Sequence, residues 1–379
     1  MADVVVRPVQ SWLDKRRFVD LPWTLYRDDP NWMPPLRGNL REMAGLKHHP
    51  FQDHGEMQAF LAWRNGQPVG RIVAIVNREH LRVYQDGRGF FGFFESVDDP
   101  AVSRALFDAA RGWLAERGFR SIRGPANPSM NYECGLLVDG FDRPPVFMMT
   151  YNPPYYPALV EDYGFRKTHD LLAYYGHVKD LPDVDARIAP LAEQAQAFCQ
   201  ATIRPLNPKR FRQDVDQFVD LYNRALTDMW GFVPLPESEV RKLAGSLQHL
   251  LVPEMTIFAE VKGQAVGVIV GLPDYNPRIK HINGRLFPFG VFHLLSKKRE
   301  IKRIRVLSIN VVPEFQRWGL GLVLMRSLIP KAMDLNIQEA EFSWVSETNR
   351  LARQGLEKAK AEIYKTYRMY DYDPPAVGS

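Results

Sequence analysis

Gln316, Arg317, Gly319 and Gly321 stand together in the stretch Val311-Val312-Pro313-Glu314-Phe315-Gln316-Arg317-Trp318-Gly319-Leu320-Gly321, and their types and spacing suit the holding of a phosphate group. Two glycines let an anion come close to the backbone, an arginine supplies charge, and backbone N–H groups at a helix start supply donors and roughly half a positive charge. Such a cradle needs a strand before it and a helix after it. Ile304 to Val312 is β-branched and aliphatic enough for a buried strand, and Pro313 ends it because proline has no N–H for a ladder. Leu320, Val323, Leu324, Leu328 and Met333 recur at helical spacing, so a helix begins at the glycines, with Pro330 expected to kink or split it. A tight strand-to-helix turn is the plainer reading of any Gly-x-Gly. No Gly-Lys-Ser/Thr follows, which excludes a P-loop, and the glycine order does not fit a dinucleotide fingerprint.

The 379 residues are 45% hydrophobic and 25% charged, enough for two cores, and the fold class is α/β, a mixed sheet flanked by helices. Two cysteines, Cys134 and Cys199, exclude a disulfide framework. No secretory signal or membrane span is legible, so the expected location is cytoplasmic. A net charge of +5 suits anionic partners without choosing among them. Nucleic acid is not expected, because basic and acidic residues interleave.

The chain repeats itself. Gly66-Gln67-Pro68-Val69-Gly70 and Gly263-Gln264-Ala265-Val266-Gly267 lie 197 residues apart, and the Lys-Thr pairs at Lys167 and Lys365 lie 198 apart. Nearly equal offsets at both ends imply two copies of one domain, 1–180 and 181–379, with a linker near Asp180 to Val184. Asn65-Gly66 and Lys262-Gly263 read as hairpin turns. In the first copy the turn equivalent to the cradle is Glu95-Ser96-Val97-Asp98-Asp99-Pro100, whose carboxylates would cap a helix and repel a diphosphate.

The fuller pattern Val-x-Pro-x-x-Gln-Arg-x-Gly-x-Gly-x-x-Leu resembles the acyl-CoA pyrophosphate loop of the GNAT superfamily of N-acyltransferases. The second half, Phe211 to Tyr372, is similar to a GNAT domain throughout, and the first half to a degenerate copy. The Gly-Arg-Leu-Phe-Pro-Phe-Gly, Asn-Pro-Pro-Tyr-Tyr and Tyr-Lys-Thr-Tyr-Arg runs resemble a bacterial GNAT-like group that includes bacterial ceramide synthases. The resemblance implies acyl-CoA as co-substrate, held by the backbone near Ile309 and Val311 and by Gln316, Arg317, Trp318, Gly319, Leu320 and Gly321, with Asn349 touching the donor. It also implies transfer to an amine, which needs a base. Glu133, with Asn131 beside it, is the candidate base in the first copy; a loop carboxylate capping its own turn is the rival reading. Asp274 and Glu347 are weaker candidates. Asn127, Tyr151, Tyr155 and Tyr156, in loops dense in prolines and amides, are candidates to line the acceptor cleft; packing alone would also explain them. In the superfamily a tyrosine often lies seven residues after the asparagine, placed to protonate the leaving thiolate. Leu356 stands there in this chain, and Tyr364 and Tyr275 are possible substitutes.

His48, His49, Asp53, His54 and Glu56 crowd together, but at spacings that match no ligand pattern, so no metal is expected. The insert from Pro273 to Arg303 joins an aromatic run, Leu286 to Leu295, to Lys297, Lys298, Arg299, Lys302 and Arg303. Such a run suits an acyl-chain channel or a peripheral contact of segment 284–303 with the inner membrane face. The expected activity is therefore transfer of a long-chain acyl group to a sphingoid-type or other lipophilic amine. Acetyl transfer to a small polar amine is the alternative within the class, and a non-catalytic CoA-binding sensor the alternative outside it.

Overall fold

A computed structural model of the protein describes residues 3–296 and 298–374; Lys297 of the basic run lies outside them. The strands in chain order are β1 (Val5–Pro8), β2 (Gly55–Arg64), β3 (Gln67–Asn77), β4 (Arg88–Ser96), β5 (Ser121–Gly124), β6 (Ala126–Asn127), β7 (Glu133–Cys134), β8 (Leu136–Asp139), β9 (Arg166–His177), β10 (Thr202–Pro205), β11 (Thr256–Val261), β12 (Gln264–Pro273), β13 (Arg303–Val311), β14 (Glu339–Ser346) and β15 (Glu362–Tyr372). The chain forms two compact units, one of residues 1–171, 276–291 and 365–379, the other of residues 172–275 and 292–364.

In the first unit β1, β2, β3, β4 and β5 follow one another in the sheet and β15 continues it beside β5. The helix Pro100–Ala115 buries Val102, Leu106, Phe107, Ala110 and Leu114 against Ile72, Ala74, Phe91 and Phe94. Its N-cap is Asp99, whose carboxylate accepts the Ala101 N–H at 2.8 Å, so the acidic turn caps its own helix as its residue types require. In the second unit the order is β10, β11, β12, β13, β14 and β9. There the helix Leu320–Asp334 buries Leu320, Val323, Leu324 and Leu328 against Val268, Ile269, Val306 and Val311. It runs unbroken through Pro330, since apolar contacts at Leu328 and Ala332 hold both sides of the lost hydrogen bond. Both hairpin turns are as read: Asn65 and Gly66 have φ of 51° and 74°, Lys262 and Gly263 of 52° and 77°. Two successive left-handed residues match the twist of the strands they join.

The compact units do not follow a cut at residue 180. Leu136 and Leu137 pair with Arg368 and Tyr367, and Ile122 to Gly124 pair with Tyr372 to Tyr370, so the C-terminal strand completes the first unit's sheet. Residues 276–291 also belong there: the Arg37 N–H donates to the Gly284 carbonyl at 3.0 Å, and Asn276 Nδ2 to the Pro145 carbonyl at 2.8 Å. The expected linker is helical, because β9 passes through one turn, Val178–Asp180, into the helix Leu181–Cys199.

Candidate active site

In the second unit, β13 and β14 pair in parallel only where Arg303–Val306 faces Glu339–Phe342. Beyond that both strands continue, to Val311 and Ser346, with no register between them among the described residues. The cause lies on the other edge of β13. Val270 of β12 faces Ser308 while Gly271 faces Val306, so Leu307 is an extra residue, and such a bulge bends the strand that carries it. The Val312 N–H donates to the Val266 carbonyl at 3.0 Å. Backbone groups alternate sides along a strand, so Ile309 and Val311 turn their N–H groups away from β12 and into the gap. Ile309 is 37% exposed although its strand is internal to the sheet.

The gap leads to the glycine turn. Gly319 adopts φ of 77°, the left-handed region, and the helix beginning at Leu320 has no side-chain cap on its first N–H groups. A Cβ built on Gly321 meets nothing within 4 Å, so the first helical turn is open on that side. Arg317 is exposed and no hydrogen bond or ion pair engages it among the described residues. The other predicted residues support the turn. Gln316 Nε2 donates to the Val311 carbonyl at 3.0 Å, tying turn to strand end. Trp318 stacks on Phe198 with ring centroids 4.7 Å apart, and Leu320 is fully buried. Asn349 Oδ1 accepts the Ala352 N–H at 3.1 Å and caps the helix Arg350–Lys358.

A charged cluster sits where β13 and β14 part. Arg305 and Glu341 face each other in register and are 1% and 0% exposed. Arg305 Nε donates to Ser343 Oγ at 3.0 Å, and Ser343 Oγ donates to the Glu341 carboxylate. The Tyr364 hydroxyl donates to the second Glu341 oxygen, and its ring lies 5.4 Å from that of Tyr175. Of these residues only Tyr364 is a candidate from the sequence. The missed signal was a charge inside each of two runs otherwise fit for burial, Ile304-Arg305-Val306 and Ala340-Glu341-Phe342. Of the other candidates, Tyr275 is fully buried and donates to the Leu250 carbonyl at 2.9 Å. Asp274 is buried 3.7 Å from Arg303, which also bonds Glu339 at 2.9 Å. Burial works against the Glu339 charge, but hydrogen bonds from Tyr175 and Arg303 hold its carboxyl below the usual range. Leu356 packs in a core with Leu172, Tyr174, Val345 and Ala361.

In the first unit the equivalent gap is filled. β4 and β5 pair only over Arg88–Phe90 and Ser121–Arg123. The following chain then lies back on β4: a Cβ on Gly92 would sit 1.9 Å from the Ala126 carbonyl oxygen, and Asn127 Oδ1 accepts the Phe93 N–H at 2.7 Å. Glu133 lies opposite Asn127 on the two-residue strand β7, half-buried, with the Asn131 N–H bonded to Ser129 Oγ at 3.3 Å. The tyrosines expected at the acceptor cleft have partners within the unit. Tyr156 and Tyr26 each donate to Glu95 at 2.7 Å, Tyr155 donates to the Ser96 carbonyl at 2.8 Å, and Tyr151 to Asp29 at 2.8 Å. Burial pushes the Glu95 carboxyl up, opposed by Arg71 and the two tyrosines. His48 and His49 bond locally, to Asp53 and to the Phe51 N–H.

Residues 215–359 match the acetyltransferase (GNAT) family. The chain is 38% identical over 379 residues to a protein of Caulobacter vibrioides named bacterial ceramide synthase, covering 98% of this chain and 97% of the relative. It is 37% identical over 373 residues to Protein YghO of Escherichia coli K12, covering 97% and 95%. Among solved structures, a tandem GNAT protein from the clavulanic acid biosynthesis pathway superposes with a TM-score of 0.58 at 10% identity over 99% of this chain and 100% of that one. A GCN5-related N-acetyltransferase from Sphaerobacter thermophilus superposes at 0.54 with 12% identity over 97% and 95%. At such identities the likeness is one of fold.

Proposed function

Because the chain belongs to the GNAT family and is an N-acyltransferase, we propose that it transfers a long-chain acyl group from acyl-CoA to a lipophilic amine of the sphingoid type. The observation that carries the donor site is the gap between β13 and β14, lined by the Ile309 and Val311 backbone and ending at the uncapped, open first turn of the helix Leu320–Asp334. An extended pantetheine would lie along the free strand edge as a further strand does, and the diphosphate would meet the Gly319 to Gly321 backbone and Arg317. In the same reading the first copy does not take a donor, since its own chain at Ala126 and Asn127 occupies the corresponding place. Glu133 and Asn131 remain proposed for the acceptor side, with Asn127 opposite Glu133.

The acceptor class rests on the relative named bacterial ceramide synthase. A surface feature agrees: Phe287 and Phe289 are 84% and 76% exposed, as an element resting on a lipid surface requires. Part of the basic run is otherwise occupied, because Arg303 turns inward to Glu339 and Lys298 donates to the His249 carbonyl. Membrane contact is therefore proposed through the aromatic residues. No helix among the described residues is long and apolar enough to cross a membrane.

The test is CoA-thiol release with palmitoyl-CoA and with acetyl-CoA, each against long-chain bases and small polar amines, with product masses recorded. Release with palmitoyl-CoA and a long-chain base, giving the amide mass, is the expected result. Release confined to acetyl-CoA and a polar amine would overturn the substrate assignment.

A further inference from the structure

We propose that Tyr364 and Glu341 form a proton relay for acyl transfer, with Tyr364 the catalytic residue at the reacting atoms and Arg305 and Ser343 the residues that position Glu341. The proposal rests on the donor-site reading above. Its own observation is the cluster at the point where β13 and β14 part. Glu341 is one residue before the last paired position of β14, Phe342, and Ser343 is the first residue past it. A thioester lying in the gap would therefore reach its closed end beside this cluster.

The chemistry needs such a pair. When the amine nitrogen bonds to the acyl carbon, the C–S bond breaks, the nitrogen loses one proton and the sulfur must gain one. The Tyr364 hydroxyl, half-buried and already donating to Glu341, can take the nitrogen proton as its own proton passes to the carboxylate. The same path run backwards delivers the proton to the thiolate, so Tyr364 and Glu341 end as they began. Arg305 makes the arrangement possible. Its guanidinium, 1% exposed, binds Ser343 through Nε at 3.0 Å and the Ser343 carbonyl through Nη2 at 3.2 Å, while Ser343 Oγ binds the other carboxylate oxygen. Arg305 thus fixes Ser343, and Ser343 fixes the carboxylate that receives the Tyr364 hydrogen bond. The relay also accounts for Leu356. That position is part of an apolar core and donates no proton, and the hydroxyl that serves comes from β15 instead.

The experiment compares wild type, Tyr364→Phe, Glu341→Gln and Ser343→Ala by single-turnover CoA-thiol release, by equilibrium binding of CoA and by thermal midpoint. Tyr364→Phe and Glu341→Gln should each slow the chemical step by about 10²- to 10⁴-fold, with CoA affinity changed less than about threefold. The double variant should be no slower than the worse single one, since both serve one path. Glu341→Gln should also abolish the acidic limb of the pH–rate profile, an effect that lost packing would not produce. Ser343→Ala should keep that limb and shift its midpoint. Wild-type turnover with full rates in Tyr364→Phe and Glu341→Gln would overturn the relay and leave the acyl-transfer reading standing. A wild type that releases no thiol with any donor and amine would overturn both.

Discussion

Gly321→Asp is the substitution for which the structure separates binding from stability most cleanly. Gly321 is the second residue of its helix, its φ is not in the left-handed region, and a Cβ there meets nothing within 4 Å. The fold should accept the side chain. Replacing glycine within a helix gains a few tenths of a kcal/mol, and a carboxylate in the first turn gains about 0.3–1 kcal/mol from the helix dipole. Thermal stability should thus stay level or rise by a degree or two. Ligand binding should respond in the opposite sense. A carboxylate about 4 Å from one phosphate charge costs between about 1 kcal/mol in bulk water and about 4 kcal/mol at a protein surface. A diphosphate presents more than one such charge, so CoA affinity should fall about 10²- to 10³-fold. Calorimetric titration of CoA against wild type, Gly321→Asp and Gly321→Asn separates charge from shape, since asparagine fills the same space without the charge. The asparagine variant should lose less than about tenfold, and the penalty in the aspartate variant should shrink as salt is raised from 0.05 to 0.5 M, values at which screening goes from weak to strong. Unchanged affinity in Gly321→Asp, or equal losses in both variants, would refute the placement of the diphosphate at this turn.

Other consequences can be checked more briefly. Gly92→Ala brings a methyl to 1.9 Å from the Ala126 carbonyl oxygen, which is backbone and cannot swing aside; it should destabilise by at least about 1–3 kcal/mol in urea unfolding, and an unchanged midpoint would contradict the filled gap of the first unit. Burial works against the Asp170 charge, but Arg368 and Lys167 hold its carboxyl below the usual range in the folded chain, so the unfolded chain binds more protons there. The stability it contributes is present above the ordinary carboxylate range near pH 4 and is lost as pH falls further, so Asp170→Asn should cost stability at pH 7 and progressively less toward pH 3 by thermal melts. Phe287→Ser combined with Phe289→Ser removes two exposed aromatic rings and should reduce sedimentation with anionic phospholipid vesicles severalfold, with CoA affinity unchanged; equal sedimentation would dismiss the lipid contact.

Much of this architecture was open to reading because its causes are local. Glycine enters the left-handed backbone region at little cost and suits the second position of a two-residue hairpin turn, so both hairpins and the Gly319 turn were legible, and helical spacing marked the helix that follows that turn. Asp99 caps its helix for the same reason. Individual roles inside the glycine turn were harder to see. Gln316 and Trp318 carry the types of ligand-binding residues yet hold the turn by contacts with Val311 and Phe198, partners that only the folded chain brings near. Tyr155 and Tyr156 likewise bond to Ser96 and Glu95, some sixty residues earlier.

The amino-acid sequence by itself determined the doubled plan, the glycine turn between strand and helix, and the family, all properties of residue type at short spacing or of similarity along the whole chain. Three features were decided only by tertiary structure. The bulge at Leu307 opens β13 from β14, which depends on the register of two strands. The chain at Ala126 fills one gap and leaves the other open, which depends on how closely Gly92 lets a backbone approach. Arg305, Glu341 and Tyr364 come from three strands whose pairing and burial put one carboxylate between a tyrosine hydroxyl and a serine held by the arginine, and no spacing within any one of those strands could foretell the meeting.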